Sequence, residues 1–445
     1  MFVYLLQVRE AALGHLGALI LFPIYSTLVW VNWGLRAGLS RRYRPWTDPF
    51  DITATVIVPV VDEPLDLFTE VLQRITKQQP HEVIVVINGP RNVGLEEVCF
   101  DAGVTYRWTS TPGKRNAVRL GLEAATGDIC VLVDSDTIWT DDTLDELVKP
   151  FAEPSIGGVT TSQRILNPRR SFLSRWADWM EDTRGLYSMP AQSVLGQVGC
   201  LPGRTIAFRT SILRVAMPAF LGDRFLGIML EVSDDRTLTN LCLKQGYRTV
   251  YQKTSLVYTD CPQRIGKMYR QQLRWARGSQ YNTLRMLPWM VAHTPLLAFY
   301  FVCDIVLPFI LIGTLLGWAY RAVTGTGTNF IAPLLDAFPG ATGWALAAAM
   351  IVLGSTMSMW LRQVRHLEAT PRDWPWMPAY ILFSSLFLMP VRLSGFIRMA
   401  HNASWGTRRN AFTAKRRLNP YAVVPYLISA AILGAEIALI VKAPA

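Results

Sequence analysis

The chain has 445 residues, of which 51% are hydrophobic and 17% charged, and a mean hydropathy of +0.22. A soluble enzyme carries about 25% charged residues, so composition excludes a wholly soluble chain and a disordered one. Lys and Arg number 44 against 33 Asp and Glu, a formal charge of +11, which suits anionic lipid, nucleic acid or a phosphorylated substrate.

Ala11 to Trp33 is an apolar run without a charge, about 35 Å long as a helix and so long enough for a bilayer core. It is too long for a cleaved signal peptide, Glu10 precedes it, and no clean small-x-small cleavage site follows it. Arg36, Arg41, Arg42 and Arg44 follow at once, which places that end in the cytoplasm and the N-terminus outside. Three more spans are expected at about 297–320, 343–361 and 421–441. A further run, 376–391, is short and punctuated by Pro375, Pro378 and Pro390. The loops on either side of it, Arg362–Arg372 and His401–Arg417, are both basic. A single crossing cannot join two loops on one side, so 376–400 is expected to be interfacial or re-entrant. Both termini would then lie outside, in a plasma or bacterial inner membrane, with lipid as a partner. The six cysteines form no CxxC pair and the five histidines are scattered, which argues against a zinc site or a disulfide framework and for a reducing compartment around the middle domain.

Between the spans, residues 45–295 have globular composition, which divides the chain into 1–44, 45–295 and 296–445. Ile52–Val61, Glu82–Ile87 and Asp128–Val133 pattern as strands; Leu65–Lys77 and the stretch from Pro112-Gly113 to Ala125 pattern as helices. Strands alternating with helices predict an α/β domain with a mixed, mostly parallel sheet and helices on both faces. Its ligands belong at the carboxyl ends of the strands. Trp176 to Tyr187 is aromatic and amphipathic, suited either to a membrane surface or to the core.

Four motifs fall where a site is expected. Asp134-Ser135-Asp136 follows the buried strand Ile129–Val133, and two carboxylates so spaced can hold a hard divalent cation against a diphosphate; a polar turn would look the same. Lys114-Arg115 opens a helix, where cations oppose the helix dipole unless an anion joins them; a solvated turn is the alternative. Ser233-Asp234-Asp235-Arg236 precedes the helical run Thr237–Lys244. Its carboxylates could cap that helix, or one could act as general base on a hydroxyl. Gln271-Gln272-Leu273-Arg274-Trp275 lies on a basic helix just before the membrane. It could be an interfacial anchor, or it could supply an Arg to a diphosphate and an aromatic face to a sugar.

As a set and in this order, these motifs resemble the processive family-2 glycosyltransferases: hyaluronan synthases, rhizobial chitooligosaccharide synthases and, more distantly, cellulose synthases. The likeness runs from about Thr55 to Arg409 and includes Asp234-Asp235-Arg236-Thr237-Leu238-Thr239-Asn240 and Trp405-Gly406-Thr407-Arg408, the latter similar to a gating loop near 401–418. It implies a GT-A-like cytoplasmic domain between transmembrane helices. It also implies that Asp134 and Asp136 hold the nucleotide sugar and Mg²⁺ or Mn²⁺, and that Asp235 is the catalytic base with Asp234 in support. Asp62, Asn88, Lys114, Arg274, Trp405 and Arg408 would bind the nucleotide sugar, and Gly199, Cys200, Gly203, Gln271 and Trp275 the acceptor. Two departures stand out: Asn88 where the family usually has Asp, and Pro202-Gly203-Arg204-Thr205 in the acceptor loop, where Arg204 either meets an acidic sugar or is structural.

The activity implied is a processive inverting hexosyl transfer from UDP-sugars, UDP-GlcNAc first, alone or alternating with UDP-GlcUA, onto a growing β-linked polysaccharide. A glucan or mannan synthase, a non-processive transferase to a lipid-linked acceptor, and an export channel with an inactive domain are the alternatives. Nucleic acid is not an expected partner, because the basic residues cluster beside the spans.

Overall fold

The computed structural model describes residues 21–228, 232–324, 332–401 and 419–442. The chain divides into two compact units, one of Leu35–Ala298 with Arg398–Ala422 and one of Met1–Gly34, Phe299–Ile397 and Val423–Ala445.

The first unit is built on eight strands: β1 (Ala54–Val60), β2 (Glu82–Asn88), β3 (Thr105–Thr109), β4 (Ile129–Val133), β5 (Thr137–Trp139), β6 (Ile156–Ile165), β7 (Thr205–Arg209) and β8 (Arg248–Thr259). Their order is β3-β2-β1-β4-β7-β6-β8-β5. β1 pairs in parallel with β2 and β4, β2 with β3, and β6 with β8, whereas β7 is antiparallel to β4 and β6, and β5 to β8. The expected mixed, mostly parallel sheet is the one that forms. The chain steps outward from β1 to β2 and β3, then returns to place β4 on the other side of β1. That reversal opens a crevice beyond the carboxyl ends of β1 and β4.

β1 and β4 are buried along their whole length, as strands covered on both faces are. Val56, Val58, Val60, Val131 and Val133 pack with Phe68, Val71 and Leu72 of the Leu65–Thr76 helix. Ile57, Cys130 and Leu132 turn to the opposite face, with Val118 and Leu122 of the Lys114–Ala124 helix and Leu213 of the Thr210–Leu221 helix. A fully buried side chain of this size contributes about 2 kcal/mol. A slip of one residue would exchange the two layers, so the layers fix the register. Pro59 is tolerated in this central strand because the last β1–β4 pair is Ile57↔Leu132; beyond it the missing N–H costs no bond to β4.

Trp176, Trp179 and Tyr187 are buried, so the aromatic face of that stretch packs on the protein. Arg277 donates to the carbonyl of His401. Asn419 Nδ2 donates to Leu226 O (2.8 Å) and Ala400 O (2.9 Å). One amide thus ties residue 400 to residue 419 and both to the turn that precedes Asp234.

In the second unit, Tyr25 and Leu28 pack on Val306 and Ile310, and Trp33 Nε1 donates to Arg362 O (3.1 Å). Among the described residues four helical stretches are long and apolar enough to cross a membrane: Pro295–Gly317, Ala341–Arg362, Pro371–Ile397 and Pro420–Ala438. The first apolar run falls partly outside the described residues; Leu21–Ser40 is helical. Pro371–Ile397 is longer than the sequence pattern suggested. Its prolines do not break it, because Pro378 sits in the first turn of Met377–Phe383 and a π-turn at Ser384–Leu388 widens the helix just before Pro390. An i→i+5 turn there makes room for a ring that would clash with the carbonyl four residues back.

Candidate active site

A cavity of about 580 Å³ opens at the crevice, lined among others by Pro59, Val61, Asn88, Lys114, Asp134, Asp136, Gln271 and Arg274. Each element delivers one part. β4 ends in a tight turn in which Thr137 N donates to Asp134 O (3.1 Å), so both Asp134 and Asp136 reach the cavity wall. Gly113, at φ +120°, turns the chain into the Lys114–Ala124 helix, a backbone conformation that favours glycine. The helix then aims Lys114 at Asp134, with which it forms an ion pair. Burial pulls the Lys114 pKa down, but the Asp134, Asp234 and Asp235 carboxylates outweigh it and raise the pKa above its ordinary 10.5. The ammonium is therefore fully charged at neutral pH.

Asn88 is nearly fully buried in the wall. Oriented to satisfy its neighbours, its amide donates to Val60 O (2.9 Å) and accepts from Gly113 N (3.2 Å). It joins β1 to the Gly113 turn, a backbone role for which an amide, with both donor and acceptor, is better suited than a carboxylate. Asp62 is exposed, one residue past Val61, and is not among the lining residues.

Asp234 and Asp235 occupy the first turn of the Asp234–Lys244 helix, and Ser233 before them makes no side-chain cap. Asp234 is buried and bonds Arg115 Nε through Oδ1 (2.7 Å). Burial raises its pKa, opposed by Arg115 and Lys114. Asp235 is half-buried, and Oδ2 accepts from Gly203 N (3.2 Å). The 199–203 loop wraps this helix start: Leu201 N donates to Thr239 Oγ1 (3.1 Å), and Cys200 Sγ lies 4.0 Å from Asp235 Oδ2. Burial, then Asp235, pushes the Cys200 thiol up to about 12, so it stays protonated and unreactive.

Trp275 lies in an adjoining cavity of about 20 Å³, which shares Asp260, Cys261, Pro262 and Gln271 with the larger one. Arg204 sits over its ring, 5.9 Å from the centroid, and bonds Gln163 (3.0 Å) and Glu181 (3.2 Å). Arg204 is thus already paired with a carboxylate. The structure also adds Arg170, Arg264 and Lys267 to the cavity wall. No motif marked them; the basic character of 264–274 hinted at Arg264 and Lys267, and nothing along the chain hinted at Arg170. Five basic and three acidic side chains line the large cavity, a balance that favours a polyanion. Trp405 and Arg408 lie outside the described residues.

Among the described residues no group of three or more His, Cys, Asp or Glu could hold a metal by itself. Asp134 and Asp136 nevertheless supply hard oxygens on one wall, which fits Mg²⁺ or Mn²⁺ provided a ligand's oxygens complete the shell.

A family model described as "Glycosyltransferase like family 2" matches residues 53–278. The chain is 24% identical over 400 residues to a hyaluronan synthase of Streptococcus pyogenes serotype M3, covering 87% of this chain and 90% of that one. It is 31% identical over 259 residues to an N-acetylglucosaminyltransferase of Azorhizobium caulinodans, covering 56% and 64%. Among solved structures, a mannosyltransferase from Pyrobaculum calidifontis, in complex with GDP-Man and Mn²⁺, is similar with a TM-score of 0.54 at 22% identity, covering 82% of this chain and 99% of that one. The likeness identifies the fold as GT-A-like.

Proposed function

The chain belongs to glycosyltransferase family 2, and from that premise we propose that it is a processive, inverting hexosyltransferase that polymerises UDP-sugars into a β-linked polysaccharide. The observation that carries this reading is the gathering of Asp134, Asp136, Lys114 and Arg274 around one cavity, next to Asp235 and the acceptor loop. UDP-GlcNAc is the first donor to test, in keeping with the hyaluronan synthase and N-acetylglucosaminyltransferase relatives.

In this mechanism Lys114, Arg274, Arg264, Lys267 and Arg170 hold the diphosphate and offset the charge that grows on it. Asp134 and Asp136 would hold Mg²⁺ or Mn²⁺, which when bound supplies further positive charge against the leaving group. Asp235 takes the proton of the acceptor hydroxyl. The oxygen bonds the anomeric carbon as the bond to the diphosphate breaks, and UDP leaves with the electron pair. One displacement inverts the α-linked donor to a β-linked product. Trp275 offers its ring to the acceptor sugar.

We assign this domain to the cytoplasm, with lipid around the other unit. Residues 400, 401 and 419 are hydrogen-bonded to the catalytic unit, and Arg362, Arg365 and Arg372 flank the other end of 371–397. Both ends of that stretch thus favour one side, which supports a segment that enters and returns, with both chain termini outside. The test is a donor screen on purified protein, followed by digestion of the product with hyaluronidase, chitinase and cellulase. Transfer of only one sugar from every donor overturns the processive reading.

A further inference from the structure

Two adjacent cations open one helix, yet they face different chemistry. Lys114 reaches the cavity wall, whereas Arg115 turns away from it and is 6% exposed. Arg115 Nε donates to Asp234 Oδ1 (2.7 Å) and Nη1 to the carbonyl of Phe220 (2.6 Å), and its guanidinium lies 4.8 Å from the Phe220 ring centroid. Asp223 stands 3.9 Å from Arg115 Nη1 and is ion-paired with Arg285. Asp223 and Asp234 are nearly as buried as Arg115. Two guanidinium groups and two carboxylates thus form a charge-balanced set in which Arg285 is half-buried and the other three are buried. Arg115 joins three separate pieces of chain: its own helix start, the end of the Thr210–Leu221 helix and the first turn of the Asp234–Lys244 helix.

We infer that Arg115 is a positioning residue for the transfer step: by fixing Asp234, it holds the neighbouring Asp235 carboxylate against Gly203 N, where the acceptor loop passes. This rests on Asp235 being the base. The geometry separates the two roles of the cation pair. Lys114 meets the donor side of the cavity. Arg115 acts through a fork that a planar guanidinium fills and an ammonium fills only in part. An anchor of this kind affects turnover, because it sets where a proton acceptor stands, and leaves donor binding in place.

The test measures UDP release by wild type, Arg115→Met, Arg115→Lys, Asp234→Asn and the Arg115→Met/Asp234→Asn double variant, with UDP affinity by calorimetry as a check on folding. Arg115→Met should lower kcat about 100-fold while donor KM stays within about threefold. Arg115→Lys should restore about a tenth or more of wild-type kcat. The double variant should lose little beyond either single one, because both act through the same contact. If Arg115→Met does not fold, Arg115→Lys and Asp234→Asn, which keep the buried volume, carry the comparison. A rise in donor KM of about tenfold or more with kcat unchanged makes Arg115 a phosphate ligand and overturns the inference, as does wild-type turnover in all variants. A readout independent of activity is the structure of Arg115→Met or Arg115→Lys: Asp235 should leave Gly203 N, and retention of that bond also overturns the inference. Wild-type protein that releases no UDP from any donor instead sinks the proposed function, while the position of Asp235 still decides whether Arg115 anchors it.

Discussion

Gly203 donates its backbone N–H to Asp235 Oδ2 at 3.2 Å, so the loop assigned to the acceptor touches the side chain assigned as base. A Cβ on Gly203 would stand 3.3 Å from Asp235 Cβ and 3.7 Å from Lys114 Nζ. Gly203→Ala should fold and bind UDP yet lose about three- to tenfold in kcat, as a small displacement at the reacting centre does. Gly203→Val should lose far more. Steady-state UDP release with both variants checks this, and a Gly203→Val enzyme as fast as wild type removes the loop from the site.

Gly278 and Ser233 make a second close approach. A Cβ on Gly278 would lie 2.5 Å from Ser233 Cβ, but 3.7 Å from Ser233 Cα. Ser233 itself has φ +69°, directly before Asp234. Gly278→Ala should therefore cost about tenfold or more in kcat. Adding Ser233→Gly should restore most of it, since glycine removes the obstructing atoms and suits the left-handed backbone. Ser233→Gly alone should be neutral or stabilising by up to about 1 kcal/mol. Failure of the double variant to recover would mean that the helix start is placed by something else.

Lys114 is held to Asp134 by an ion pair. Lys114→Met should raise the Kd for UDP by about tenfold, the equivalent of one charge-assisted hydrogen bond. The sign of the pH dependence follows from its raised pKa. The stability from this ion pair is fully present below the ordinary lysine value of 10.5 and is lost only as pH rises through the higher folded-state value. Lysine charge should therefore not limit UDP affinity between about pH 7 and 9. A fall in affinity within that range, present in wild type and absent in Lys114→Met, would contradict the assignment.

Asp136 shares the cavity wall with Asp134. Chelation of divalent cations should abolish UDP release, and Mg²⁺ or Mn²⁺ should restore it. Asp136→Asn should lose about 100-fold or more in kcat at saturating metal. Full activity in chelator rejects the metal assignment.

The membrane reading predicts that Glu368 and Pro420, both exposed, face the same side. Single cysteines there should react with an impermeant maleimide in inverted vesicles and not in intact cells. The background is low, because five of the six native cysteines are buried. Labelling of the two positions from opposite sides would make 371–397 a full crossing.

Much of the first half of the sheet was legible because it is local. β1, β2 and β4 are short apolar runs separated by helical patterns, and Asp134 follows directly from the end of β4. β6 and β8 were harder. Their pairing is parallel with register shifts between Ile156/Gly158 and Thr161/Ser162, which blurs the alternation that marks a strand. Site residues were legible where one motif held them together, as in Asp134–Asp136 or Gln271–Trp275. Arg170 reaches the cavity only through tertiary packing, and the opposite directions of Lys114 and Arg115 are set by which neighbours each meets. Asn88 read as a nucleotide contact and does line the cavity, but that its amide also bridges two backbones is something spacing along the chain does not reveal. The prolines of 371–397 suggested an interrupted segment because nothing in the residue pattern announces a π-turn.

Asn419 bonds Ala400 and Leu226 together, so one side chain fixes residues 400 and 419 to each other and to the turn at Leu226. A single amide, with its two N–H donors, serves two carbonyls from distant parts of the chain, so its loss would unfasten both at once.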